Sequence, residues 1–237
     1  IELNGNANFN AGTNGGAVTT LLFKNSAANT ITVAGSTVMP TGAVTFNGTG
    51  GSYAITGTLP VSGVLTIGNA TSSAATINTG TITAQGDVVF NNFGYSGTAS
   101  LNFAGTTATT LNIAGTAAVM SGTVTVAKTG AGALTLQTNA PLNGASQAMT
   151  ITSGTVNMAA NNLNVAGLLT IAGAGTLNCN GGTLTHGSIT AIGQIDCASM
   201  HRKIFLYTGA NQTFAVPAGV TSVTAKMWGG GGGGVPG

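Results

Sequence analysis

Leu65-Thr66-Ile67, Val88-Val89-Phe90 and Leu111-Asn112-Ile113 recur at one interval, from position 65 to 88 to 111. Each triplet is apolar–any–apolar. In a strand, residues i and i+2 share a face, so each triplet turns two apolar side chains one way and its middle residue the other. The pattern extends in both directions. Upstream lie Leu21-Leu22-Phe23 and Val44-Thr45-Phe46; downstream lie Leu134-Thr135-Leu136, Val156-Asn157-Met158 and Leu177-Asn178-Cys179. The interval stays nearly the same at every step. A constant spacing of about 22 residues marks a solenoid, whereas a sandwich need not repeat its pattern evenly.

A second series interleaves with the first: Ile31-Thr32-Val33, Tyr53-Ala54-Ile55, Leu101-Asn102-Phe103, Val124-Thr125-Val126, Met149-Thr150-Ile151, Leu169-Thr170-Ile171 and Ile189-Thr190-Ala191. Its spacing is looser, and the coil near Ile77 fits it poorly. A third series enters late, with Leu163-Asn164-Val165 and Leu184-Thr185-His186. Each coil therefore holds two or three short strands. A single coil cannot bury its inner face, but stacked coils can. Glycine, asparagine and serine between the triplets supply the turns. The expected fold is all-β: a single-stranded β-helix of about eight coils, each of about 22 residues.

The pattern stops near Ser199. Residues 1–199 are read as the solenoid and 200–237 as a C-terminal segment. Met200-His201-Arg202-Lys203 is the one basic cluster and reads as a solvated junction. Three strands are expected beyond it, at 204–207, 213–216 and 220–228. Pro217-Ala218-Gly219 makes a turn, and Gly229 to Gly234 form a polyglycine tract. The chain starts at Ile1, which is expected either of processing or of a piece of a longer chain, and it runs out in glycines, where truncation is expected too.

Composition narrows the function. Only 3% of residues are charged, and the net charge is +2. Nucleic acids and acidic lipids require clustered Lys and Arg, so neither is an expected partner. No run of about 18 apolar residues is present, so no membrane span is expected. The acids are Glu2, Asp87 and Asp196. A glycosidase needs two carboxylates within about 10 Å. Asp87 and Asp196 are separated by about five coils, or roughly 24 Å along a solenoid. His186 and His201 lie near Cys179 and Cys197, but their spacings match no zinc-ribbon pattern. No nucleophile elbow or phosphate-loop lysine occurs. No catalytic residue, cofactor or metal is assigned. Cys179 and Cys197 permit either one disulfide or two small buried hydrophobes in neighbouring coils.

Two stretches carry a resemblance. Lys128-Thr129-Gly130-Ala131-Gly132-Ala133-Leu134-Thr135-Leu136 and Ala172-Gly173-Ala174-Gly175-Thr176-Leu177-Asn178 resemble passenger repeats of autotransporters and related large bacterial β-helix exoproteins. Gln212-Thr213-Phe214-Ala215-Val216-Pro217-Ala218-Gly219-Val220, continuing to Trp228 and the glycines, is similar to the start of the glycine-rich domains of phage tail-fibre and bacterial surface proteins. These resemblances imply an extracellular or cell-surface location, with a virion as the alternative.

The expected role is a non-enzymatic subunit or stalk of a surface fibre, sheath or adhesin. Expected partners are further copies of the chain, as an oligomer or filament, and a cell-surface or glycan receptor. Neither end shows an obvious polar cap, and the sparse charge removes the usual guard against strand-edge pairing. Phe214, Val216, Val220, Val223 and Trp228 form the candidate assembly segment. A phage tail fibre or other virion appendage is the alternative. A smaller one is an ice-binding solenoid, for which Thr125, Thr150, Thr170 and Thr190 would form an outward ladder.

Overall fold

The computed structural model describes residues 1–10, 12–13, 20–24, 26–35, 37–38, 41–68, 75–91, 95–114, 119–197, 200–202 and 210–213. The chain divides into two units, Ile1–Ile204 and Phe205–Gly237. Of the second unit only residues 210–213 are described, and all four are exposed. The expected assembly segment Phe214, Val216, Val220, Val223 and Trp228, the strands at 204–207 and 220–228 and the glycine tract lie outside the described residues.

Among the described residues every regular element is a strand. The first coils contain β1 (Glu2–Leu3), β2 (Ala7–Phe9), β3 (Gly12–Thr13), β4 (Leu21–Phe23), β5 (Asn29–Val33) and β6 (Thr37–Val38). Then come β7 (Val44–Phe46), β8 (Ser52–Thr56), β9 (Thr58–Val61), β10 (Leu65–Ile67), β11 (Thr76–Asn78) and β12 (Thr81–Ala84). The middle holds β13 (Val88–Phe90), β14 (Ser100–Gly105), β15 (Thr109–Ile113), β16 (Val124–Lys128), β17 (Ala133–Leu136) and β18 (Ala140–Leu142). Last are β19 (Met149–Asn157), β20 (Leu163–Asn178), β21 (Leu184–Ala191), β22 (Gln194–Cys197) and β23 (Met200–Arg202).

Up to β22, each strand pairs in parallel with a counterpart in an adjacent coil, which is the arrangement of a β-solenoid. The first ladder runs β1, β4, β7, β10, β13, β15 and β17, and continues through the second halves of β19 and β20 to β22. Its triplets are buried at both outer positions and only half-buried at the middle one. That is the alternation the sequence pattern demands. In the core, Leu65, Ile67, Leu134 and Val156 have no exposed surface. Burying each such aliphatic side chain contributes about 1.5–3 kcal/mol.

Three features depart from the sequence reading. The looser second series merges two separate ladders. Ile31, Tyr53, Ile55 and Ile77 belong to one, β2–β5–β8–β11. Leu59, Ile82, Leu101, Val124, Met149, Leu169 and Ile189 belong to another, β9–β12–β14–β16–β19–β20–β21. Ile77 pairs with Tyr53, but it is the single buried residue of β11, so the apolar–any–apolar pattern is missing there. Second, Leu111 pairs with Leu136 and not with Leu134, so this step is two positions longer than the triplets suggest. A shift of two keeps every side chain on its face, whereas a shift of one would expose the whole set. Third, triplets centred on proline are strands. Leu59-Pro60-Val61 and Ala140-Pro141-Leu142 each bury both outer residues. Their described partners are β12 and β20, each paired in parallel.

The coils approach closely at their corners. A Cβ on Gly63 would lie 2.6 Å from the Gly42 carbonyl oxygen of the coil before, so no larger residue fits there. In β19 the chain rounds a corner without leaving the strand, at Gly154, whose φ of 78° disfavours any side chain. An aromatic cluster fills the early coils. The rings of Phe23 and Phe46 stack at 4.8 Å, and Tyr53 meets Phe46 edge-on at 5.3 Å.

Candidate functional site

The three acids stay apart. Glu2 lies in β1 and faces Lys24 at 3.8 Å in an exposed ion pair. Asp87 stands just ahead of β13, where Oδ1 accepts the Thr110 amide at 2.7 Å. This carboxylate therefore closes a rung between coils. Asp196 is in β22, five rungs further along the same ladder. At about 4.8 Å per rung the two are about 24 Å apart. That separation is too large for two carboxylates to share one glycosidic bond. Among the described residues no three His, Cys, Asp or Glu side chains gather as a metal site would need. Likewise, no helix there is long and apolar enough to cross a membrane.

Cys179 and Cys197 form a disulfide, with their Cα atoms 4.6 Å apart. Their neighbours Asn178 and Asp196 are register partners, so the bridge links the last two rungs of the first ladder on its inner side. The chain then reverses: β23 pairs antiparallel with β22, Cys197 opposite Met200 and Ile195 opposite Arg202. The edge of β22 is thus covered by the chain itself, at an end where the sequence shows no obvious polar cap. The adjacent strand β21 differs. It pairs only with β20 among the described strands. Leu184, Ile189 and Ala191 are only half-buried, while Leu163, Leu169 and Ile171 one rung below are buried. Ile192, just past β21, is 55% exposed. In β21, His186 has a buried Nδ1 with no partner. His201 lies in β23.

The outward threonines align. Thr125 pairs with Thr150, Thr150 with Thr170 and Thr170 with Thr190, each in adjacent rungs. The line continues through Asn102 and Thr83 to Pro60. It carries no charge and is half-buried by its own neighbours until Thr190, which is exposed.

The most unusual residue is one the triplet pattern did not single out. Lys128 ends β16 and has no exposed surface. Its Nζ donates to the carbonyls of Ala104 at 2.8 Å and Thr107 at 3.1 Å, both in the coil before. Burial holds its amine below the usual lysine range, and the nearby Asp87 carboxylate offsets part of that shift. A Cβ on Gly154, in the coil after, would come within 2.5 Å of the Lys128 Cβ, so any side chain at 128 requires glycine above it. The signal was present in the sequence, because Lys128 shares parity with Val124 and Val126. Two other polar groups are buried and satisfied. Gln147 Nε2 donates to Met120 and Gly122, and its Oε1 accepts from the Gly144 amide. The Tyr95 hydroxyl donates to Gly48 at 2.7 Å. Burial, then the neighbouring Tyr53, pushes the Tyr95 phenol well above its ordinary value. All three groups are tied by hydrogen bonds to backbone groups of neighbouring coils or turns.

Comparison with protein-family models, with curated proteins and with solved structures finds no match to this chain.

Proposed function

We propose that this chain is a structural subunit or stalk of an extracellular fibre, sheath or adhesin, that it associates with further copies of itself, and that it carries out no catalysis. The observation that carries this reading is the long stack of parallel rungs with almost no charge on its outer faces, ending in a strand, β21, that pairs only with β20 among the described strands. Natural edges are commonly protected by charge, proline or a covering element. Because β23 occupies the edge of β22, strand addition at this end falls to β21. The disulfide supports assembly in an oxidising, extracellular compartment. A cell-surface or glycan receptor fits the same role. Electron microscopy of the native material together with light scattering tests the reading. Filaments and concentration-dependent association are expected, and a chain that stays monomeric at high concentration contradicts it.

A second reading has one observation in its favour. The in-register line Thr125–Thr150–Thr170–Thr190 is a regular, uncharged hydroxyl array, as an ice-binding face would be. Thermal hysteresis that disappears in Thr150→Tyr would favour this reading; its absence in the wild type removes it.

A further inference from the structure

We propose that the Cys179–Cys197 bridge is a redox-conditional latch on the last coil, which closes in an oxidising compartment and opens when a dithiol reduces the bond. Three observations converge on it. The bridge closes a sequence separation of 18 that contains the whole of β21. This coil is the least buried of the late ones: Leu184, Ile189 and Ala191 are half-buried where their counterparts in β20 are fully covered. The same coil is also the shortest step of the first ladder. It runs only from Leu177 to Ile195, whereas the step before it runs from Val156 to Leu177. Apolar burial thus holds this coil more weakly than the others, and the covalent link carries a correspondingly larger share.

The chemistry balances with a dithiol as the reductant. One of its thiolates attacks a bridge sulfur, the S–S bond breaks and a mixed disulfide forms. The second thiol then attacks the mixed disulfide. Two electrons pass to the cysteine pair, Cys179 and Cys197 take up two protons as thiols, and the reductant leaves as its own disulfide. Cys179 is 1% exposed and Cys197 5%, so attack waits for the coil to open transiently. Once the link is cut, β21 is held by its ladder bonds and partial burial, and β22 by its ladder bonds and the burial of Ile195 and Cys197. Releasing them uncovers the edge of β20, a 16-residue strand from Leu163 to Asn178 without a single charge. Such an edge is a template for pairing with another strand. The latch therefore keeps the longest neutral edge among the described strands covered after export. This inference stands whether or not the chain builds a fibre.

Hydrogen exchange read by mass spectrometry on the full chain, oxidised and then reduced with dithiothreitol, tests the latch. Loop closure of about 15 residues shifts an opening equilibrium by about a hundredfold. Amides of residues 184–202 are therefore expected to exchange ten- to a hundredfold faster after reduction, with those of 124–157 unchanged. The Cys179→Ala/Cys197→Ala double variant should reproduce the change without reductant; should it fail to fold, the reduced wild type alone decides. Unchanged protection over 184–202 after reduction overturns the proposal. So does an equal loss across the whole solenoid, or the finding of two free thiols in the native chain.

Discussion

Replacing Lys128 separates two effects that usually act together, the cost of burying a charge and the cost of leaving its partners unsatisfied. Lys128→Met keeps the length and most of the packing but removes both the ammonium and its two hydrogen bonds. Lys128→Ala removes the stem as well, which opens a cavity and leaves the Ala104 and Thr107 carbonyls facing it. Hydrogen bonds from a charged donor contribute about 1.5–3 kcal/mol each, and an orphaned buried acceptor costs about 1–3 kcal/mol. Against them stands the desolvation of the ammonium, which is several kcal/mol in a protein interior. For Met these contributions nearly cancel, so a change within about 1.5 kcal/mol is expected. For Ala the cavity is added, and a loss of about 3–5 kcal/mol follows. Guanidinium unfolding at pH 7 reads both. The pH dependence gives a second readout. The folded chain releases the Lys128 proton more readily than the unfolded chain does, because the folded pKa is the lower one. Between that value and the unfolded value of about 10.4, the unfolded state holds more protons, so stability rises with pH, by at most about 1.4 kcal/mol per pH unit. The Met variant lacks this rise. Equal small losses in both variants, with an unchanged pH profile, would refute the burial of this amine.

The other predictions concern single features of the stack. Tyr95 keeps its proton in the folded state beyond the pH at which the unfolded phenol loses it, so wild-type stability falls above about pH 10. Tyr95→Phe should remove part of that fall, as denaturant midpoints on either side of about pH 10 would reveal. Phe46→Ala empties a fully buried site between Phe23 and Tyr53 and should cost about 3–5 kcal/mol by chemical unfolding. Gly63→Ala forces a methyl into the backbone of the preceding coil and should cost more than about 1 kcal/mol. Gly173→Ala meets nothing within 4 Å and should leave the melting temperature unchanged or slightly higher.

Much of this fold was legible because the side-chain period of a strand is two and the coil interval is nearly constant. Val88, Phe90, Leu111 and Ile113 announce their inward faces without any structural help. Division into ladders was less legible. Tyr53 and Leu101 carry the same local pattern, and only the pairing of Ile77 with Tyr53, and of Ile82 with Leu101, assigns them to different walls. The two-residue excess between Leu111 and Leu136 was hidden for a related reason, since Leu134 satisfies the pattern equally well. Leu59-Pro60-Val61 and Ala140-Pro141-Leu142 carry the same apolar–any–apolar alternation, yet neither falls in the three series read from the sequence. Lys128 passed as one of five bases, although its parity with Val126 placed it indoors. The cover over β22 was invisible in sequence because Met200–Arg202 is a short polar stretch whose partner is set by a chain reversal.

The stacking itself is open to a direct distance measurement. Spin labels on cysteines replacing Pro60 and, in turn, Thr150, Thr170 and Thr190 lie four, five and six rungs apart on one wall. Electron–electron double resonance should give distances that grow in equal increments of about 4.8 Å, from about 19 Å to about 24 Å to about 29 Å before label length is added. Distances that stay constant, or that change out of order, would contradict a solenoid of parallel, in-register coils.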